Sequence, residues 1–162
     1  MSNMSTDNIA ASNAKTLAGL FRERVSRTPN AIAYRQFNAA DNQWHDYSWA
    51  EIATEVARWQ AALANEPLQP GDRVAILLRN CREWVTFDQA ALGCGLVIVP
   101  LYIDDRPESM AYILNDSGCK VLLIRGQEQW EGIQTVLQDL DVLVRILTLE
   151  TVNNTTDDEN KN

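Results

Sequence analysis

Basic residues are scarce in this sequence: its 162 residues hold 14 Lys plus Arg against 22 Asp plus Glu, and the net charge is −8 with the single histidine neutral. The acidity is uneven, because residues 150–162 contribute −3 and the remainder −5. A nucleic-acid-binding protein needs a clustered basic face that neutralises phosphates. We therefore expect no nucleic-acid partner.

Long apolar runs and cysteines are also few. No stretch approaches the roughly 18 apolar residues of a membrane-spanning helix, and residues 1–15 lack both the basic start and the apolar core of a secretory signal. The cysteines, Cys81, Cys94 and Cys119, are odd in number and match no zinc spacing. We expect reduced thiols in a cytosolic protein, with no transmembrane segment, disulfide framework or zinc module.

Motifs for phosphate binding or nucleophilic catalysis are missing too. The single G-x-G, Gly93 to Gly95, precedes a predicted strand, which indicates a helix-to-strand turn and not a dinucleotide site. His45, the one histidine, has no matching nucleophile motif, so we interpret it as a strand-surface side chain. Cys81 stands at a predicted helix N-terminus, where thiol pKa values fall, but no motif surrounds it and we interpret it as structural.

An acidic pair follows one of the predicted strands. Asp104 and Asp105 could hold Mg²⁺ or accept a phosphoryl group, as in receiver domains. The other carboxylates and the lysine of a receiver are absent from the required places. The alternative is structural: Asp105 caps a helix that begins at Pro107, with Glu108 in its first turn.

Apolar periodicity predicts the order of elements. A helix from Thr16 should end at Thr28, a hairpin should join 31–36 to 44–47, and Ser48 with Glu51 should cap a second helix. Strands at 73–78, 96–102, 120–124 and 142–149 then alternate with three helices: one capped by Asn80, one between Pro107 and Gly118, and one marked by Trp130, Ile133, Leu137 and Leu140.

This alternation predicts an α/β fold with a mainly parallel sheet, helices on both faces, and an N-terminal helix and β-hairpin. The length fits one ordinary domain. Its expected organisation is a flexible lead-in at 1–14, an α/β subdomain at 15–149, and an acidic polar tail or linker at 150–162.

The segment from Gly71 to Ile124 is more specific than its pattern. It resembles the N-terminal region of acyl-CoA synthetases, in the AMP-forming adenylating superfamily with luciferases and peptide-synthetase adenylation domains. Strands and helices carry the matching residues in order: Gly71-Asp72-Arg73-Val74-Ala75-Ile76, Asn80, Glu83-Trp84, Ala90, Gly95, Val99-Pro100-Leu101-Tyr102, Glu108, Tyr112-Ile113-Leu114 and Asp116-Ser117. Upstream, Leu17–Phe21, Pro29, Ala33 and Tyr47–Ile52 fit as well, so the resemblance covers residues 15–149.

The resemblance implies an ATP-dependent, AMP-forming ligase that activates a carboxylate as acyl-adenylate and transfers it to coenzyme A. The EW helix, the VPLY strand and the YIL-x-DS helix favour the long-chain fatty-acyl branch. ATP, Mg²⁺ and coenzyme A would serve the intact enzyme. The family's triphosphate loop, ribose-binding Asp, Mg²⁺-holding Glu and adenylation Lys have no counterpart in this sequence. We expect no catalytic or metal-ligating residue here, no tightly bound cofactor and an inactive isolated chain.

What the resemblance implies for sites and partners is limited. The resemblance implies a place near the family's coenzyme A channel for Tyr102, the last residue of the VPLY strand, and for Ile103 and Asp104 after it. Partners would be the downstream catalytic subdomains of the same polypeptide and, through residues 1–30, a second copy. The enzyme would be cytoplasmic, with peripheral contact at the inner face of the membrane where its substrate dissolves.

Two alternatives remain open. The first is another adenylate-forming enzyme, an aryl- or short-chain CoA ligase or an amino-acid adenylation domain. The second is a free-standing, non-catalytic α/β interaction module. Acyl specificity, oligomeric state and the roles of the cysteines and His45 are not determined by the sequence. Nor does it decide between a piece of a longer enzyme and a shortened gene product.

Overall fold

The structure, a computed structural model, describes residues 7–143 and 145–153. Its α-helices are α1 (Ala11–Ala14), α2 (Leu17–Arg27), α3 (Trp49–Leu63), α4 (Arg82–Gly93), α5 (Pro107–Ser117) and α6 (Gln127–Gln134). Its strands are β1 (Ile32–Asn38), β2 (Gln43–Ser48), β3 (Arg73–Leu77), β4 (Val97–Pro100), β5 (Cys119–Ile124) and β6 (Arg145–Thr148). Most of the predicted tail and the start of the predicted lead-in lie outside the described residues.

These elements form two compact units. One holds residues up to Pro70 together with Asn80–Leu96, and the other holds Gly71–Arg79 and the residues from Val97 onward. The first unit therefore contains α1 to α4 and the hairpin, and the second contains the four later strands with α5 and α6.

The first unit begins with two helices in close contact. The Thr16 hydroxyl accepts a hydrogen bond from the Gly19 N–H at 2.9 Å and so caps α2. Gly19 is buried, and a Cβ there would lie 1.8 Å from the carbonyl oxygen of Ala14. Asp7 pairs with Arg24 and Arg27, at 2.6 and 3.2 Å, and so ties residues preceding α1 to the end of α2.

The hairpin and the capping box occur where the sequence predicts them. Strands β1 and β2 pair antiparallel, and Arg35 lies opposite Asp46. The Ser48 hydroxyl accepts from the Glu51 N–H, while the Glu51 carboxylate accepts from the Ser48 N–H at 2.8 Å. The buried face of α3 comprises Ile52, Val56 and Leu63.

Helix α4 begins one residue later than predicted. Asn80 is not its N-cap; Cys81 occupies that position, and its side chain makes no capping hydrogen bond. Gln36 stabilises this end of the helix instead, because its side-chain oxygen accepts from the Arg82 N–H at 2.6 Å. The far end agrees with the prediction: α4 stops at Gly93, and Gly95 adopts a φ of 75° in the turn to β4.

The second unit is built on a four-stranded sheet in the order β4-β3-β5-β6, with every pair parallel. Strand β3 is buried from Val74 to Leu77 and β5 is almost wholly buried, as expected for strands covered on both faces. The prediction of a second fully buried strand, at 96–102, was wrong. Strand β4 is an edge strand, shorter than 96–102, and Val97 is 47% exposed.

Helices α5 and α6 cover an apolar cluster in this unit. Pro107 begins α5 and Gly118 ends it with a φ of 63°, as predicted, but the cap is Arg106 and not Asp105. Helix α6 ends at Gln134, earlier than predicted, and a 3-10 turn at Leu137–Asp139 follows. The buried cluster comprises Ala75, Leu77, Leu101, Met110, Leu114, Cys119, Leu122, Ile124, Trp130 and Ile133.

Candidate functional site

The carboxyl ends of parallel strands share one edge of a sheet, and ligands of open α/β sheets bind there. In the second unit, the segments that leave this edge are Leu78–Arg79 after β3, Leu101–Arg106 after β4, Arg125–Gly126 after β5 and Leu149–Glu150 after β6. The three residues singled out from the sequence, Tyr102, Ile103 and Asp104, lie together in the segment after β4.

The loop after β4 is anchored at both of its ends. The Leu101 N–H donates to the Ile76 carbonyl at 2.9 Å and so continues the ladder for one residue past β4. The Asp105 N–H donates to the Tyr102 carbonyl at 3.2 Å and closes a turn. Ile103 packs against the apolar cluster, so it holds the loop to the unit.

The side chains on either side of Ile103 face solvent. Tyr102 is 80% exposed and Asp104 is also exposed. A phenol ring can stack on a flat group, and a carboxylate can accept hydrogen bonds from a ligand. The loop therefore has the chemistry of a binding surface. Among residues 7–143 and 145–153, no group of three or more His, Cys, Asp or Glu side chains is placed to hold a metal ion.

An ion pair at the same edge was not predicted from the sequence. Arg125 and Glu150 follow β5 and β6, and their side chains meet at 3.3 Å. Their backbones meet too, since the Glu150 N–H donates to the Arg125 carbonyl at 2.8 Å. The sequence held a signal for this pair, because each residue comes at or just after the end of a predicted strand. The pair joins two of the segments at the edge that could contact a ligand.

A groove in the first unit is a second place for a ligand. It encloses about 450 Å³ beside β1, and its lining includes Phe37, Trp44 and Arg82. The Phe37 and Trp44 rings meet edge to face, with centroids 5.5 Å apart. Arg82 is paired with Glu55 and Glu83, and Arg35, also in the lining, with Asp46. The groove therefore suits an apolar group better than an anion.

The other residues considered from the sequence are not part of the loop after β4. His45 bonds to the Asp41 carboxylate at 2.7 Å on the hairpin, and Cys81 is half-buried at the start of α4. Cys119 is buried, and that burial raises the pKa of its thiol. Burial raises the pKa of the half-buried Cys94 thiol as well. All three cysteines are free thiols.

Family comparison agrees with the resemblance. The chain belongs to the AMP-binding enzyme family, whose sequence profile matches residues 21–162. The long-chain-fatty-acid–CoA ligase FadD15 of Mycobacterium bovis is 31% identical over 106 residues, which is 65% of this chain and 17% of that protein. Fatty acyl-CoA synthetase A of Dictyostelium discoideum is 32% identical over 115 residues, 69% of this chain and again 17% of that protein. The chain thus spans about a sixth of these relatives.

A shorter relative also matches. The uncharacterized protein Rv1549 of Mycobacterium tuberculosis is 27% identical over 112 residues, which is 69% of this chain and 62% of that protein. The identity is lower than with the two synthetases, but the alignment covers a much larger part of the relative's own length. At least one protein that is similar to this chain therefore has a length nearer to its own.

Solved structures show the same fold. A fatty acyl-CoA synthetase of Mycobacterium tuberculosis aligns with a TM-score of 0.73 at 23% identity, over 83% of this chain and 26% of that one. The anthranilate CoA ligase AuaEII, solved with anthranoyl-AMP, aligns with a TM-score of 0.74 at 21% identity, over 88% of this chain and 28% of that one. The predicted fold class, the N-terminal part of the adenylate-forming fold, is confirmed.

Proposed function

We propose that this chain is the N-terminal subdomain of an ATP-dependent, AMP-forming acyl-CoA ligase. In the proposed reaction a carboxylate attacks the α-phosphorus of ATP to give acyl-adenylate and pyrophosphate, and the thiol of coenzyme A then displaces AMP. The single observation that carries this proposal is the match of residues 21–162 to the AMP-binding enzyme family. Residues 15–149 would form the subdomain and 150–162 a tail or linker.

The proposed substrate is a long-chain fatty acid. Two relatives support this choice by name, a long-chain-fatty-acid–CoA ligase and a fatty acyl-CoA synthetase, at 31% and 32% identity. An aryl- or short-chain acid, or an amino acid, is the alternative within the family. Pyrophosphate exchange by the native enzyme across a panel of acids separates these choices, because only an acid that forms the adenylate supports exchange.

The described residues do not fit a role in holding Mg²⁺-ATP. Within 7–143 and 145–153 no metal-ligating cluster exists, and the whole sequence has no glycine-rich phosphate loop with its lysine. Transfer chemistry at phosphorus depends on metal ions and positioned cations. The adenylation step therefore belongs to other parts of the proposed enzyme, and the isolated chain should not carry it out.

Coenzyme A is the ligand that this chain's own residues could contact. The loop after β4 lies at the carboxyl edge, Ile103 fixes it to the apolar cluster, and the exposed Tyr102 and Asp104 are available to a ligand. In the proposed enzyme these two side chains would line part of the coenzyme A channel. They bind and orient the cofactor, and no bond is made or broken on them.

The proposed setting follows from the substrate. The enzyme would be cytoplasmic and would contact the inner face of the membrane peripherally, where long-chain acids dissolve. No helix in the part of the chain that the structure describes is long and apolar enough to cross a bilayer. The principal partner would be the downstream catalytic portion of the same polypeptide, and a homodimer is a further possibility to be tested by size.

The proposal is tested by assaying the native polypeptide for formation of acyl-CoA. It should consume ATP, a fatty acid and coenzyme A and release AMP and pyrophosphate. Release of ADP, or no acid-dependent consumption of ATP, would contradict the ligase assignment. The isolated chain serves as the matched control and should show no activity.

A second candidate function is a free-standing, non-catalytic interaction module. The observation that favours it is the match to Rv1549, of which the alignment covers 62%. An immunoblot of source cells with an antibody to this chain separates the two candidates. A band several times heavier than 18.2 kDa supports the ligase, and a band at that mass supports the module.

A further inference from the structure

The two edges of the four-stranded sheet differ in the backbone groups that they present. Among the described residues, β4 and β6 each pair with a neighbouring strand on one side only. Along a parallel strand, successive residues direct their N–H and C=O groups alternately to one side and to the other. Every second residue of an edge strand therefore directs its backbone groups away from the sheet.

Strand β4 offers little to a further strand. The Val97 N–H donates to the Asp72 carbonyl at 2.9 Å, so Val97 faces β3 and the next residue, Ile98, faces the free side. Pro100 faces the free side as well, because it lies two residues beyond Ile98. Proline has no N–H, so Ile98 is the one residue of β4 that could both donate to and accept from an added strand. Proline in this orientation protects an edge, and β4 is therefore suited to remain one.

Strand β6 presents a complete set of backbone groups. The Leu149 N–H donates to the Ile124 carbonyl at 3.2 Å and continues the ladder, so the odd-numbered residues of this strand face β5. Ile146 and Thr148 therefore direct their N–H and C=O groups to the free side. Neither residue is proline, so this edge offers two donors and two acceptors at the spacing of a ladder. Nothing in the described part of the chain pairs with them.

The order of the strands indicates where a further strand belongs. Numbered along the chain from β3, the four parallel strands have the order 2-1-3-4. These are the first four strands of the doubly wound order 2-1-3-4-5, in which the fifth strand lies beside the fourth. Strand β6 is the fourth, so the position of a fifth strand is on its free side.

Strand β6 is also less buried than its neighbour. Ile146 and Leu147 are half-buried, whereas the residues opposite them in β5, Leu122 and Leu123, are fully buried. Parallel sheets normally have both faces covered. A further strand, with the helix that connects it, would bury the exposed parts of Ile146 and Leu147.

The chain is too short to supply this strand itself. Parallel neighbours are joined by a crossover of about a dozen residues or more, and a strand adds about five. Strand β6 ends at Thr148, and 14 residues follow it in the sequence. The relatives named above are about six times longer than the part that this chain matches. The strand would therefore come from the downstream portion of the proposed enzyme.

We infer that β6 pairs with a parallel strand from the downstream portion of the same polypeptide, and that β4 remains the opposite edge of the sheet. The added strand bonds through its backbone to Ile146 and Thr148. Its side chains are mostly apolar, because both of its faces are covered. This inference rests on the proposed function, and it names the surface of this chain that the rest of the enzyme covers.

The test is hydrogen–deuterium exchange, resolved to single amides by electron-transfer fragmentation, in the native polypeptide and in the isolated 162-residue chain. The amides of Ile146 and Thr148 should exchange at least about a hundredfold more slowly in the native polypeptide. The Ile98 amide should exchange rapidly in both proteins. The Leu149 amide, which is bonded to β5, should be protected in both and shows that the sheet is folded.

Two proline substitutions form a matched pair, because each removes an outward N–H and no hydrogen bond of the described sheet. Thr148→Pro should lower the melting temperature of the native polypeptide by several degrees more than that of the isolated chain. Ile98→Pro is the control on the opposite edge and should change the two melting temperatures equally. Equal effects of Thr148→Pro on the two proteins would contradict the inference.

Three results of the exchange experiment would overturn the inference. Ile146 and Thr148 could exchange equally fast in both proteins, or Ile98 could become protected in the native polypeptide. The third is slow exchange of Ile146 and Thr148 already in the isolated chain, which would assign the edge to its own tail or to a second copy. The two proposals also fail separately. Acyl-CoA formation with unprotected β6 amides contradicts only the added strand, and protected amides in a polypeptide that releases no AMP contradict only the ligase.

Discussion

The guanidinium carbon of Arg82 lies 4.4 Å from the centroid of the Tyr47 ring, so a residue at the start of α4 stacks on the hairpin strand β2. The same guanidinium pairs with Glu55 of α3 at 3.1 Å and with Glu83 at 3.2 Å. Its backbone N–H donates to Gln36 of β1. Arg82 thereby joins four elements of the first unit through one side chain and one amide.

Replacing Arg82 should destabilise the first unit. Arg82→Ala removes the ring contact and leaves two half-buried carboxylates without this partner, and breaking such a partly buried pair typically costs about 2–3 kcal/mol. Urea unfolding followed by circular dichroism measures the loss. Arg35→Ala is the control, because its pair with Asp46 is exposed. Unfolding of both variants at the same urea concentration would contradict the stabilising role of Arg82.

Close packing of α1 on α2 should make Gly19 intolerant of any side chain. Gly19→Ala would place a Cβ 1.8 Å from a backbone oxygen of Ala14, so the two helices must separate, at a cost of about 1–3 kcal/mol. Gly132→Ala in α6 is the matched control, since nothing lies within 4 Å of its added Cβ. That variant should gain up to about 1 kcal/mol from helix propensity. Equal effects of the two substitutions on thermal unfolding would argue against this packing.

The carboxyl group of Asp88 in α4 should make stability depend on pH. Burial raises the pKa of Asp88, although a hydrogen bond from Gln89 opposes the shift. The folded state therefore holds this proton more tightly than the unfolded state, so the contribution of Asp88 to stability falls as pH rises through its folded pKa. Asp88→Asn removes that penalty and should stabilise the chain at neutral pH.

The stabilisation by Asp88→Asn should disappear on acidification below about pH 3.9, the ordinary aspartate pKa, where the carboxyl is neutral in both states. Thermal melts of both proteins across this range measure the difference. A stabilisation that persists unchanged in acid would show that its cause is not the charge of Asp88.

The loop after β4 gives a prediction for the native enzyme. Tyr102→Ala and Asp104→Ala should each raise the KM for coenzyme A by about tenfold, as expected for loss of about 1.4 kcal/mol of binding, and leave the KM for ATP unchanged. Tyr112→Ala is the control, because Tyr112 is a similarly exposed tyrosine, 70% against 80%, but belongs to α5. Equal KM values for coenzyme A in all three variants would exclude the loop from its channel.

Local signals in the sequence predicted the elements whose cause is local. The Ser48–Glu51 capping box and the Pro107 and Gly118 ends of α5 depend on residues within one turn, and all three occur as predicted. The caps at Asn80 and Asp105 were wrong, because in each case the N-cap is the next residue, Cys81 or Arg106, whose side chain makes no capping hydrogen bond. The chemistry of a side chain indicates which residues could cap a helix, but the backbone conformation determines which residue occupies the N-cap position.

Features set by distant residues were not predictable from the sequence. The apolar run at 96–102 does not indicate which strands lie beside it in the sheet. The edge position of β4 therefore became known only from the structure. The exposure of Leu17 and Leu20, two apolar residues of α2, likewise became known only from the structure. For the candidate site, the sequence placed Tyr102 at the end of a predicted strand and Asp104 after it, but their exposure and the pairing of Arg125 with Glu150 required the structure.

The central claim is that the native polypeptide is an AMP-forming acyl-CoA ligase. The most direct test is to purify that polypeptide with an antibody to this chain and to identify the nucleotide that it forms from ATP. With Mg²⁺, a long-chain fatty acid and coenzyme A, the account predicts AMP and acyl-CoA in equal amounts, both dependent on the acid. An 18.2 kDa native polypeptide that releases no AMP would contradict it.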